Sequence, residues 1–166
     1  HQKLKKKYKK LLTVIIPRHV HRVNDIYKEI LDMGFKVQIH SKKSKIKKDT
    51  DIYLVDTYGE TKSFFKICNT VFLGGSIVNH GGQNPLEPAR FGCKILHGPN
   101  IQNFTEVYRL LNKENLSFKF YNTNQLAKSV NQSLNQNINF SKKITKLKKI
   151  GSNILNHTST EINCFL

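Results

Sequence analysis

The sequence predicts an α/β fold: a Rossmann-like parallel sheet flanked by helices. Three observations carry this. Short β-rich runs alternate along the whole chain with stretches of helical periodicity. Apolar residues recur at helical spacing between runs, most clearly over Val23 to Leu31. The segments richest in Gly, Asn and Pro directly follow predicted strands, where open α/β sheets place their ligands.

The strand candidates are Leu11 to Ile16, Phe35 to His40, Asp51 to Val55, Thr70 to Leu73, Cys93 to Leu96 and Leu116 to Tyr121. Between the first two, Val23, Ile26, Tyr27, Ile30 and Leu31 fall on one helical face, and Gly34 stands where a left-handed C-terminal cap belongs. Shorter helices are expected at Thr61 to Cys68, Pro85 to Phe91 and Phe104 to Asn112. Leu126, Val130 and Leu134 predict another from Thr123, and the polar stretch Asn135 to Asn139 reads as a linker. A final helix over about 141–157 has the apolar stripe Ile144, Leu147, Ile150, Ile154 and Leu155, read as core-facing, with lysines opposite. Gln2 to Lys10 has helical composition but no strand before it, so the chain reads as cut from something longer.

With 166 residues, 38% of them hydrophobic, the chain has material for one sizeable core, and a single domain is expected. The longest largely apolar run, Leu11 to Ile16, is far too short to span a bilayer, and the chain reads as soluble and cytoplasmic. Cys68, Cys93 and Cys164 are odd in number and widely spaced, which speaks against a disulfide framework or a zinc site. The net charge of +17 attracts phosphates, anionic lipid surfaces or nucleic acid without choosing among them. Lysines cluster at Lys3 to Lys10, Lys36 to Lys48 and Lys142 to Lys149. No G-x-S-x-G, H-E-x-x-H, P-loop or G-x-G-x-x-G motif occurs, so hydrolase, zincin, NTPase and dinucleotide-binding readings lack their signatures.

Three loops carry candidate chemistry. After the first strand come Pro17, Arg18 and His19; a guanidinium there suits phosphate or carboxylate, unless Arg18 pairs with a nearby acid and His19 merely opens a helix. After the third strand come Asp56, Thr57, Tyr58, Gly59 and Glu60, where Asp56 and Thr57 suit helix capping and Gly59 permits close backbone approach. The third loop is the most specific: Gly74-Gly75-Ser76, then His80-Gly81-Gly82-Gln83-Asn84-Pro85-Leu86-Glu87-Pro88-Ala89. Glycines after a strand expose backbone N–H groups to an anion, and Gly75 and Ser76 are candidate contacts on that ground. The alternative is a capping box with Asn84 as N-cap, Pro85 at N1 and Glu87 at N3, in which Pro88 at N4 would remove the first intrahelical donor. His80, Glu60 and Glu87 form no spacing that demands acid/base catalysis.

Taken in order, these loops resemble the 3-deoxy-D-manno-octulosonic acid (Kdo) transferase family, with His80 to Pro88 as the most specific stretch. The resemblance implies the C-terminal half of a GT-B fold, which binds the donor CMP-Kdo. Pro17 and Arg18 match one donor-contacting segment, Tyr58, Gly59 and Glu60 a second, and Asn84, Pro85, Leu86 and Glu87 a third. It further implies inverting transfer without cofactor or metal. The expected partners are an N-terminal acceptor-binding domain of the same enzyme and, through it, a phosphorylated lipid A precursor at the inner face of the bacterial inner membrane, with an anionic membrane surface also suited to the charge. No residue of this chain stands out as catalytic base, and none is assigned. A basic nucleic-acid-binding protein, or a GT-B donor domain for another nucleotide sugar, are the competing readings; the first lacks any RNA-binding or zinc-finger signature.

Overall fold

The computed structural model describes residues 1–135 and 141–163, the side chains of residues 141–143, 146, 153, 154 and 157 excepted. The expected linker from residue 136 on, Cys164 and the side chain of Ile154 therefore lie outside the described residues. The chain divides into two compact units, residues 1–64 and 65–166.

The first unit begins with a short helix α1 (Gln2–Lys5), followed by β1 (Thr13–Ile15), α2 (Val23–Asp32), β2 (Val37–Ile39) and β3 (Ile52–Leu54). The strands pair in parallel in the order β1-β3-β2, so β3 is central and fully buried while both neighbours are half-buried edges. Helix α2 buries Val23 and Ile30 on one face, as its periodicity requires. It ends at Gly34, whose φ of +79° lets its N–H reach Leu31 O while Phe35 N–H reaches Ile30 O. Lys5 Nζ lies 2.8 Å from Asp51 Oδ1, and His1 Nδ1 lies 2.8 Å from Thr13 Oγ1, which ties the N-terminal segment to this sheet.

Helix α3 (Thr61–Ile67) leads from the first unit into the second. There follow β4 (Thr70–Phe72), α4 (Leu86–Arg90), β5 (Lys94–His97), α5 (Thr105–Lys113), β6 (Ser117–Lys119), α6 (Thr123–Asn135) and α7 (Ser141–Asn163). A second parallel sheet has the order β4-β5-β6 with β5 buried along its whole length. The parallel pairing predicted by the alternation of elements is thus present, divided over two three-stranded sheets. Leu73, Ala89, Ile95, Tyr108, Leu111 and Leu116 form the core of this unit, with Phe104, Val107 and Leu147 packed against it. Tyr108 and Leu111 are one helical turn apart and so share the inner face of α5. Asn115, at φ +54°, closes that helix with Leu116 N–H on Leu111 O.

Two local expectations need correction. Helix α7 runs beyond residue 157 to Asn163, and only part of its apolar stripe is core: Leu147 packs inward, whereas Leu155 is 66% exposed. Helix α4 starts at Leu86, with Pro85 as its N-cap residue rather than its first helical residue. Pro88 is consequently the third helical position, where an N–H has no intrahelical acceptor anyway, so the proline costs the helix nothing. The first intrahelical bond is made by Ala89 N–H to Pro85 O.

Candidate functional site

In the first unit, the turn after β1 places Pro17 half-buried and Arg18 exposed. Among the described residues the Arg18 guanidinium makes no ion pair or hydrogen bond, so the alternative of a structural pairing with a neighbouring acid is not realised. His19 does open a helix: it is the N-cap of a 3-10 turn over Val20–Arg22, and its ring stacks on His21 at 5.5 Å.

The turn after β3 is organised differently from the capping expectation. Asp56 does not cap α3; its carboxylate accepts from the backbone N–H of Ser41 at 2.8 Å and from the Ser41 hydroxyl. Burial would raise the Asp56 pKa, but these bonds outweigh it and hold the carboxyl below its ordinary value. Helix α3 instead starts under Glu60, whose carbonyl accepts from Ser63 and Phe64. Gly59 has φ +85°, a conformation that disfavours any side chain, and Tyr58 beside it is 73% exposed. Glu60 Oε1 lies 3.9 Å from His40 Nε2, and His40 in turn contacts the Tyr53 hydroxyl at 3.1 Å through Nδ1. The Thr57 hydroxyl oxygen is buried without a partner among the described residues.

In the second unit the loop between β4 and α4 is a rigid construction. Ser76 is fully buried; its hydroxyl donates to Leu73 O at 2.7 Å and accepts from Gly98 N–H at 2.9 Å. The residues after β5 hold the rest of the loop: Asn100 N–H bonds Ser76 O, Asn100 Nδ2 bonds Ile77 O, Asn103 N–H bonds Gly81 O and Asn103 Nδ2 bonds His80 O. Gly75, Gly81 and Gly82 all have positive φ, and a Cβ on Gly81 would also sit 2.4 Å from the Asn103 side chain. Tyr108 Oη donates to Gln83 O at 3.2 Å from below, its own ionisation pushed up to about 12 by burial. Beneath it, His97 is buried with Nδ1 2.7 Å from Gly98 O; burial is the main cause lowering its pKa, which keeps the imidazole neutral.

This clamp was not singled out from the sequence. The signal was present, since His97-Gly98-Pro99-Asn100-Ile101-Gln102-Asn103 is a polar turn between a strand and a helix, facing no obvious task by itself.

The outcome at Asn84 to Glu87 separates the two readings of the third loop. Asn84 Oδ1 accepts from Leu86 N–H at 3.0 Å, an Asx turn ahead of the helix rather than a capping box, which would need an N–H at the position Pro88 occupies. The return contact of a capping box is missing as well: the half-buried Glu87 carboxylate makes no hydrogen bond or ion pair among the described residues. With the helix starting at Leu86, Glu87 is its second residue, outside the N3 position from which a carboxylate reaches back. The main-chain N–H groups of Gly75 and Ser76 likewise donate to nothing among the described residues. Both features leave polar capacity on a loop whose shape is otherwise fully specified. Among the described residues no three His, Cys, Asp or Glu side chains group in a way that could hold a metal, and no helix is long and apolar enough to cross a membrane.

Comparison with known proteins identifies relatives over most of the chain. Over 111 residues the chain is 35% identical to the 3-deoxy-D-manno-octulosonic acid transferase of Haemophilus influenzae, covering 67% of this chain and 26% of that protein. The chain belongs with the Kdo transferases. The transferase of the same name from Rickettsia typhi is 30% identical over 134 residues, 81% of this chain and 29% of its own length. That from Aquifex aeolicus is 29% identical over 133 residues, 80% and 36%. The chain therefore spans only about a quarter to a third of the length of these Kdo transferases. Its fold matches the crystal structure of the C-terminal CMP-Kdo binding domain of WaaA from Acinetobacter baumannii, with a TM-score of 0.80 at 22% identity over 90% of this chain and 78% of that one. The fold is thus that of the C-terminal half of a GT-B enzyme, in agreement with the sequence expectation. No family model matches the chain.

Proposed function

We propose that this chain is the donor-binding part of an inverting, metal-independent Kdo glycosyltransferase, holding CMP-Kdo for transfer to a lipid A precursor. The residues assigned to the donor are Pro17, Arg18, Tyr58, Gly59, Glu60, Gly75, Ser76, Asn84, Pro85, Leu86 and Glu87. The observation that carries the reading is the Glu87 carboxylate, left without a partner on a loop that is otherwise clamped in place. A carboxylate so held can accept from a pair of ribose hydroxyls without having to be ordered first. Gly75 serves through its free main-chain N–H group, and Ser76, fully buried with its hydroxyl committed to the fold, serves by holding that turn in place. Arg18 supplies a permanent positive charge for the phosphodiester or the sugar carboxylate.

In this reading an N-terminal domain of the same enzyme holds the phosphorylated acceptor and supplies the base that deprotonates its hydroxyl, at the cytoplasmic face of the inner membrane. Donor binding and sugar transfer are then separable, and the isolated chain binds nucleotide without transferring Kdo. NMR titration with CMP, UMP and a DNA oligonucleotide tests this directly: CMP perturbs residues near Arg18, Gly59 and Glu87 together, and UMP does so more weakly. Glu87→Gln keeps volume and loses the charged acceptor. Its CMP affinity falls by about 1.5–3 kcal/mol, roughly 10- to 150-fold, with the fold intact, as does that of Arg18→Ala. Unchanged affinity in both variants refutes the assignment.

A further inference from the structure

The first unit carries a second basic feature, separate from the proposed donor contacts. The loop from β2 to β3 contains Lys42, Lys43, Lys45, Lys47 and Lys48, all exposed, with Ile46 among them 44% exposed. None of the five lysines makes an ion pair among the described residues; of the two acidic residues of the loop, Asp49 is held 2.8 Å from Lys36 Nζ and Asp51 2.8 Å from Lys5 Nζ.

A solvated lysine run is usually mobile, but this one is built. The Gln38 side chain, on β2, uses all four of its hydrogen-bonding positions on the loop. Its Nε2 donates to Ser44 Oγ at 2.9 Å and Lys45 O at 3.1 Å, and its Oε1 accepts from Lys47 N–H at 2.9 Å and Thr50 Oγ1 at 2.8 Å. At one end Ser41 is fastened to Asp56, and Lys43, at φ +45°, closes a turn with its N–H on His40 O. The loop therefore holds its lysines outward around one exposed aliphatic side chain in a fixed arrangement.

We infer that the Lys42–Lys48 loop docks the protein on an anionic lipid surface. A nucleic-acid site is the less suitable occupant, because residues 41–49 contain no aromatic side chain to stack on a base and no arginine to read one. Lysine point charges around an aliphatic side chain match a surface of anionic headgroups over acyl chains. The inference does not rest on the donor-site reading.

The test is co-sedimentation of the whole chain with vesicles of phosphatidylcholine, or of a two-to-one mixture with phosphatidylglycerol. A loop variant carries Lys→Gln at positions 42, 43, 45, 47 and 48. A charge-matched control carries Lys→Gln at the exposed positions 9, 10, 62, 66 and 113. Circular dichroism checks that both fold. The wild type binds the anionic vesicles alone. The loop variant loses about fivefold in affinity per lysine, at least a hundredfold in all, and the control less than about tenfold. Ile46→Ser weakens binding without changing charge, and Gln38→Ala, which releases the loop, does the same. Equal losses in the loop variant and control, no binding by the wild type, or a loop variant that loses oligonucleotide binding while keeping the vesicles overturns the inference.

Discussion

Gly98→Ala is the sharpest probe of how the β4–α4 loop is held. A Cβ at this position would stand 2.4 Å from the Ser76 carbonyl oxygen, 2.8 Å from its carbon and 3.0 Å from Ile77 N. These are backbone atoms, so no side-chain rotation relieves the clash; the loop or the strand end must move. Forced overpacking of this kind costs about 1–3 kcal/mol. Movement also separates Gly98 N–H from the Ser76 hydroxyl, a fully buried bond whose loss leaves a donor unsatisfied at a cost of about 1–3 kcal/mol. A combined loss near ~3 kcal/mol lowers the melting temperature of a chain this size by roughly 6–12 °C. The assay is thermal unfolding of wild type and variant, followed by CMP titration at a temperature where both are folded. The variant should melt earlier and, because Gly75 and Ser76 are displaced, bind CMP more weakly. A melting temperature within a degree or two of wild type, with unchanged affinity, would refute the clamp as described.

Three further outcomes follow from the same unit. Ser76→Ala removes the hydroxyl from both Leu73 O and Gly98 N–H but adds no clash, so it destabilises by about 1–3 kcal/mol, less than Gly98→Ala, in denaturant titrations. His97 titrates at lower pH in the folded chain than in the unfolded one, so the unfolded state binds more protons as pH falls below the ordinary imidazole value of 6.5. Stability contributed by the neutral ring is present above that value and is lost as pH falls towards the lowered native pKa; melting curves at pH 7.5 and 5.5 should show it, with a smaller fall in His97→Gln. Cys93 is fully buried, its thiol donating to Cys68 O with Sγ 3.1 Å from that oxygen, and desolvation pushes its pKa up to about 12. Iodoacetamide should label it only after unfolding, which peptide mass mapping would read; rapid labelling of the native chain would contradict this packing.

The six strands among the described residues, and the long helices, were legible because periodicity is a local property, written into neighbouring residues. Gly34 shows this well: an apolar helical face followed by glycine needs only a few residues to specify a left-handed cap, and the chain adopts it. The candidate site was legible as three loops, from the residue types that follow each strand and from their resemblance to a family. What each side chain does there was not. Asp56 reads as a helix cap, but Ser41, fifteen residues earlier, takes its carboxylate. Glu87 reads as the second half of a capping box, but a helix starting at Leu86 puts it out of reach and leaves it for another partner.

The sequence by itself determined the parallel α/β class, the order of elements and the places where chemistry is concentrated, because hydrophobic period and turn residues act over a few positions. Only the tertiary structure decided that the strands form two sheets, that Gly98, Asn100 and Asn103 shape the loop preceding α4, and that Gln38 holds the lysine loop. Those pairings join residues that are distant in sequence or meet across a turn. Their hydrogen bonds form only once strand order and burial have brought donor and acceptor together, and no local pattern of residue types records which partner that will be.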